Sequence, residues 1–272
     1  MPTKLGQNFL KDKSVVDKII QSANLSPDDF VIEIGPGEGV LTEELAKYAG
    51  KVIAIEIDSE LCKLLRNKFS NKKNVEIINA DILKVNLKLL LNSQGSTLGA
   101  PKVEPWGNYK VIANLPYYIT SPIIRLFLES EFPPKEMILM VQKEVAERIV
   151  EKPGKMSILA VSVQYYAKPE LLFYVDKKSF DPVPKIDSAV MKIIPHPSPL
   201  LKREGEFRKN FFRVVRAGFS AKRKTLLNNL ASSFHLGKYE VEEKLKKIGL
   251  SPKVRAQELS IEQWKELAEI FS

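Results

Sequence analysis

The segment Asn114-Leu115-Pro116-Tyr117 has the most specific chemistry in the chain, and it directly follows the apolar run Lys110-Val111-Ile112-Ala113. The exocyclic amine of adenine is a poor nucleophile because its lone pair is delocalised into the ring. A site that accepts both N–H hydrogens improves it. The side-chain oxygen of Asn114 and a backbone carbonyl, expected to be that of Leu115, supply two such acceptors. Pro116 fixes φ and stiffens the turn. Tyr117 offers an aromatic face for a flipped base. A carboxamide does not act as a base, so such a site works by polarisation and by in-line placement of the amine against an electrophilic methyl group. Taken alone, the tetrapeptide also reads as an ordinary strand-to-loop turn.

A second site lies upstream, at Glu33-Ile34-Gly35-Pro36-Gly37-Glu38-Gly39. Glycines between a strand and a helix permit a tight turn and close approach of a ligand. The dinucleotide fingerprint is G-x-G-x-x-G, whereas here the third glycine comes one residue early. Glu38 would also repel a pyrophosphate, so a ligand without phosphates is expected. Glu56 follows Gly35 by 21 positions and ends the next apolar run. A carboxylate near that spacing accepts hydrogen bonds from ribose hydroxyls. Asp81 follows a third such run and is placed to receive the adenine amine of the same ligand. A structural turn and two surface carboxylates are the plain alternatives.

These residues need a scaffold that brings strand ends together. The first two-thirds of the chain alternates short β-branched runs with amphipathic stretches. Strands are expected at 30–34, 52–56, 75–78, 110–113 and 137–141, and helices at 40–48, 59–69, 121–129 and 143–150. That alternation predicts βαβ units and a parallel sheet. Residues 171–175 and 189–194 then add late strands, with an antiparallel option. Asn92 to Gly107 reads as a loop, and His196-Pro197-Ser198-Pro199 as a domain boundary followed only by helices.

Bulk properties narrow the function classes. The chain has 272 residues, with 44% hydrophobic and 28% charged, which is ordinary globular composition. No apolar run is long enough to span a membrane, and the N-terminus lacks a signal-peptide core. A cytoplasmic protein is expected. One cysteine, Cys62, excludes an internal disulfide and reads as a buried small hydrophobe. Two histidines without metal-ligand spacing argue against a metal centre. The net charge of +9 is concentrated: nine Lys/Arg against two Glu between Lys202 and Lys224 give +7. Such clustering suits a polyanion. Lys209, Arg213 and Arg216 recur at helical spacing, with Lys222, Arg223 and Lys224 just beyond, opposite an apolar side of Phe207, Phe211, Val214, Val215 and Phe219. A solvated basic face is the plain alternative.

With these residues in place, the sequence resembles the ribosomal RNA adenine dimethyltransferases, the bacterial small-subunit branch in particular. The resemblance rests on Gly6-Gln7-Asn8-Phe9-Leu10, the glycine loop through Thr42, Asn114 to Tyr117, Gln142 to Ala146, Phe180 to Val190, Phe219 to Leu226 and Arg255 to Ser260. It covers nearly the whole chain. There are departures: Ala221 and Lys222 replace Gln and Arg, and the stretch Lys152 to Ser157 is shorter than its counterpart. The resemblance implies an α/β fold, a Rossmann-like class I S-adenosylmethionine-dependent methyltransferase sheet with a small all-α C-terminal domain. Residues 1–195 would be the catalytic, cofactor-binding domain and 196–272 a basic, helical RNA-binding domain. It implies S-adenosyl-L-methionine as cofactor, held by Asn8, Leu10, Gly35, Gly37, Glu56, Asp81 and Asn114. The catalytic set would be Asn114, Leu115, Pro116, Tyr117 and Phe180, with Tyr117 and Phe180 sandwiching the target adenine. The implied reaction adds two methyl groups to N6 of each of two adjacent adenosines in a hairpin loop near the 3′ end of small-subunit (16S) ribosomal RNA. The expected partner is the immature small subunit, and the expected state a monomer. Alternatives are a large-subunit adenine methyltransferase of the macrolide-resistance type, a non-catalytic RNA-binding assembly factor, and a DNA adenine methyltransferase.

Overall fold

The computed structural model describes residues 8–93, 109–196 and 205–272. The chain falls into two compact units, one of residues 1–146 and 167–195, the other of residues 147–166 and 196–272. The expected boundary at residue 196 is therefore one of three chain crossings. Residues 147–166 make an excursion into the second unit that no composition shift in the sequence marks.

The first unit is built on a seven-stranded sheet. Its strands are β2 (Phe30–Ile34), β3 (Lys51–Glu56), β4 (Val75–Asn79), β5 (Tyr109–Asn114), β6 (Glu136–Gln142), β7 (Ala167–Val175) and β9 (Ser188–Pro195), in the order β4-β3-β2-β5-β6-β9-β7. The first five are parallel, and β9 runs antiparallel to both β6 and β7. All five residues of β2 are buried, as expected of a parallel strand covered on both faces. A separate two-stranded ladder joins β1 (Phe9–Leu10) to β8 (Phe180–Asp181), pairing Phe9 with Asp181 and Leu10 with Phe180.

Helices α1 (Lys13–Ala23), α2 (Val40–Tyr48), α3 (Ser59–Lys68), α4 (Leu87–Ser93) and α5 (Thr120–Leu128) accompany this sheet. Asp12 caps α1 by accepting from the Ser14 amide at 3.0 Å, and Asp58 caps α3 by accepting from Glu60 and Leu61. Helix α1 was not foreseen. The expected loop from Asn92 lies largely outside the described residues, and Asn92 and Ser93 close α4 instead. Cys62 is buried in α3.

The other end of the sheet carries a buried cation. Lys110 donates to the carbonyls of Ala23 (2.8 Å) and Asn24 (3.1 Å) and pairs with Asp29 (3.3 Å) and Glu136 (3.2 Å). Glu136 also pairs with Lys192 at 3.1 Å.

The second unit is helical. Helix α6 (Lys143–Ile149) leads into it. It contains α7 (Ile158–Tyr166), α8 (Gly205–Gly218), α9 (Leu226–Phe234), α10 (Lys238–Lys247) and α11 (Ile261–Ile270). Phe211, Leu226, Leu245 and Trp264 form its core together with Tyr165 from α7. Tyr165 lies 4.3 Å, centroid to centroid, from Phe211. Thr225 caps α9, and Ser260 with Gln263 forms a capping box on α11. Among the described residues, no helix is long and apolar enough to cross a membrane.

Candidate active site

Strands β2 and β5 are neighbours in space, although the chain visits β3 and β4 between them. Connections from the two strands therefore diverge to opposite sides, which opens a crevice at their C-terminal ends. A cleft of about 390 Å³ lies there, entirely within the first unit. That size suits a cofactor of low molecular weight.

The glycine loop forms one wall of the cleft. Gly37 sits at φ +58, and a Cβ there would lie 2.9 Å from the Phe9 ring. Only glycine lets β1 pack so closely on the loop. Gly39, at φ +76, caps α2, and its amide bonds the Pro36 carbonyl at 2.9 Å. The early third glycine is thus the helix cap. Lys11 forms an ion pair with Glu38 across the same contact. Asn8, Leu10 and Gly35 also line the cleft, whereas Gly6 and Gln7 lie outside the described residues.

Glu56 lines the cleft with both carboxylate oxygens engaged by backbone amides, Oε2 by Gly37 (3.3 Å) and Oε1 by Asp58 (3.0 Å). Each oxygen keeps a further lone pair for a hydroxyl donor. Burial raises its pKa, while the Asp58 and Gly37 amides pull the other way. Asp81 lines the cleft after β4 and accepts from the Leu83 amide at 3.1 Å.

Asn114 ends β5 at the cleft. Among the described residues, its carboxamide has no hydrogen-bond partner, and the Leu115 carbonyl accepts none, although the Leu115 amide bonds the Met140 carbonyl at 3.0 Å. Two acceptors on consecutive residues are therefore free. Tyr117 and Phe180 line the same cleft without stacking on each other, and Pro116 lies between Asn114 and Tyr117. The structure brings the whole expected catalytic set to one place.

Two lining residues have features that the sequence does not show. Tyr118 is 67% exposed at the cleft. Glu33 is 1% exposed, and its Oε2 has no hydrogen-bond partner. Burial pushes the Glu33 carboxyl up to about 8; the Thr42 hydroxyl opposes that shift and the Glu56 charge adds to it. The only sequence signal was an acidic residue inside an otherwise apolar strand. Between its ordinary value of 4.5 and about 8, the folded protein holds a proton that the unfolded chain has lost. Stability should therefore fall as pH rises through that window, by about 1.4 kcal/mol per pH unit. Glu33→Gln should flatten the slope. Denaturant unfolding of both proteins between about pH 5 and pH 8 tests this, and equal slopes would show that the carboxyl is ionised throughout.

In the second unit, Lys209, Arg213, Arg216, Lys222, Arg223 and Lys224 are all exposed. Arg213 departs from the expected free stripe. Its guanidinium donates to the Phe271 carbonyl at 2.9 Å and lies 5.0 Å from the Phe234 ring centroid, so it ties α8 to the C-terminus. The turn carrying Lys222 to Lys224 is held from beneath by buried Asn229, whose Nδ2 donates to the carbonyls of Gly218 (2.6 Å) and Ala221 (3.1 Å). Lys202 and Arg203 lie outside the described residues.

Comparison with known proteins is consistent with this geometry. The family model described as ribosomal RNA adenine dimethylase matches residues 1–272. The chain belongs to that family. Among its relatives, a protein named ribosomal RNA small subunit methyltransferase A from Dehalococcoides mccartyi is 44% identical, over 97% of this chain and 86% of the relative. A protein of the same name from Caldanaerobacter subterraneus is 44% identical, over 97% of this chain and 95% of the relative. Among solved structures, the 23S rRNA methyltransferase ErmE superposes with a TM-score of 0.74 at 32% identity, covering 97% of this chain and 99% of that one. A dimethyladenosine transferase from Plasmodium falciparum gives 0.75 at 28% identity, covering 95% of each chain. The adenine dimethylase fold is thus an α/β methyltransferase sheet with a helical C-terminal region, as expected from the sequence.

Proposed function

We propose that this adenine dimethylase transfers methyl groups to N6 of two adjacent adenosines in a hairpin loop near the 3′ end of small-subunit ribosomal RNA, giving N6,N6-dimethyladenosine. The observation that carries the reading is the pair of free acceptors, the Asn114 carboxamide and the Leu115 carbonyl, in a cleft shared with Tyr117 and Phe180. S-adenosyl-L-methionine, when bound, supplies the methyl group. Glu56 and Asp81 hold its polar groups, and Gly35, Gly37, Asn8 and Leu10 shape the wall around it. The residues present fit that molecule: carboxylates with spare acceptor capacity, a wall without side chains at Gly35 and Gly37, and acidic Glu38 in place of a phosphate-binding group.

Asn114 and Leu115 accept the two amine hydrogens and so direct the nitrogen lone pair outward. Tyr117 and Phe180 hold the base, at roughly 1–3 kcal/mol per stacked face. The exposed cations of the second unit, Lys209, Arg216, Lys222, Arg223 and Lys224 with Arg213 beside them, contact phosphates, which supply affinity while the cleft selects adenine. The partner is an immature small ribosomal subunit in the cytoplasm, met by a monomer. The similarity to ErmE keeps a large-subunit substrate as the second reading; the names of the relatives favour the small subunit.

The deciding experiment incubates the protein with labelled cofactor and, separately, immature small subunits, large subunits or DNA, then identifies the modified nucleoside. Dimethyladenosine in small-subunit RNA alone is expected, and label only in large-subunit RNA or DNA would overturn the reading. For the basic surface, Lys222→Glu with Arg223→Glu should weaken particle binding and reduce the salt slope by about 2. Cofactor affinity should be unchanged. These residues are better probes than Arg213, whose reversal would also unseat the C-terminus. Unchanged affinity and slope would place the RNA surface elsewhere.

A further inference from the structure

The Tyr117 hydroxyl lies 3.1 Å from Ser188 Oγ, and Ser188 is fully buried. Ser188 begins β9, which is antiparallel to β6, so it sits at the sheet edge where β2 and β5 end. It is paired on both sides, with Gln142 of β6 and Val175 of β7. The preceding residue is pinned as well: the Asp187 carbonyl accepts from the Lys143 amide and its Oδ1 from the Lys177 amide, both at 3.1 Å.

We infer that Ser188 is a positioning residue, whose buried hydroxyl anchors the Tyr117 ring and thereby sets the plane against which the target base lies. Without it the partly buried ring loses the hydrogen bond that holds its tip, and keeps only its packing and the stiff Pro116-Tyr117 link. The inference deepens the proposed function and rests on it for the identity of the base, but the anchor itself is a property of the protein alone. Because in-line attack demands close alignment, loss of the anchor appears in turnover rather than in RNA affinity, which phosphate contacts dominate.

The test is a double-mutant cycle on small-subunit particles, with Ser188→Ala, Tyr117→Phe and the pair. Ser188→Ala should lower kcat roughly three- to tenfold, with KM for the particle within about twofold. Tyr117→Phe keeps the ring and removes only the hydroxyl, so it should match Ser188→Ala, and the double variant should be no worse than either. If Ser188→Ala lowers kcat by the same factor in both backgrounds, or does not lower it at all, the inference is wrong. Ring motion is read separately from ¹³C-labelled tyrosine, with Tyr117→Phe identifying the resonance. Faster motion of Tyr117 in Ser188→Ala is expected, and an unchanged signal would remove the anchor. A wild-type protein that methylates no adenine would defeat the functional reading, while the ring measurement would still decide the anchor.

Discussion

Asn114→Ala should lower methyl transfer by at least roughly a hundredfold while leaving RNA binding largely intact. The side chain offers one of two free acceptors at the end of β5. Its partner hydrogen exists on the substrate amine, and the interaction strengthens as the nitrogen gains positive character on attack. Losing one preorganised hydrogen-bonding group at such a point costs about 10²–10³ in kcat. The loss should fall on kcat rather than on particle affinity, because the group acts on the reacting nitrogen. Single-turnover transfer from labelled cofactor, with filter binding of the particle in parallel, separates the two. A variant with near-normal turnover would remove Asn114 from the mechanism.

The second large effect concerns stability. Lys110→Met should destabilise the first unit by about 3–5 kcal/mol at neutral pH, because it leaves two mostly buried carboxylates, Asp29 and Glu136, without their shared cation. Asp29 loses the ion pair that Lys110 makes with it, two carbonyls lose their donor, and Glu136 keeps only Lys192. Replacement by methionine preserves much of the volume, so the loss reads electrostatics and hydrogen bonding rather than a cavity. Lys110 and Asn114 stand at opposite ends of β5, about 13 Å apart along the strand, so cofactor affinity of the folded variant should not change. Urea unfolding gives the number, and a loss below about 1 kcal/mol would show that water replaces the cation there.

Much of the sheet was legible because its strands are short apolar runs separated by amphipathic stretches. Phe30–Ile34 and Val40–Tyr48 appear with the bounds that the pattern implied. The elements that escaped lack such periodicity. Helix α7, Ile158–Tyr166, is apolar almost throughout, so nothing in it distinguishes a buried helix from strand, and its membership of the second unit is a long-range fact. The β1–β8 ladder is two residues long on each side and joins segments 170 positions apart, with no local signal at all. At the site, residue types revealed Asn114, Glu56 and Asp81, because few arrangements explain them at strand ends. Glu33 stayed hidden, since only burial gives its carboxyl an unusual character. The double duty of Arg213 was invisible for the same reason: a helical wheel shows a cation on a face, not the Phe271 carbonyl that it reaches.

The three crossings between units bear on how the protein can be taken apart. No single cut in the gene yields both units whole. A fragment starting at residue 196 would lack α7, and with it Tyr165, which packs against Phe211 and Phe212. A fragment ending at residue 195 would carry that same apolar helix with nothing of residues 196–272 to cover it. Dissection by limited proteolysis or truncation should therefore give sticky, incomplete pieces. A faithful excision needs α7 transplanted: residues 147–166 fused by a linker ahead of residue 196, and residue 146 rejoined to residue 167 by a short bridge.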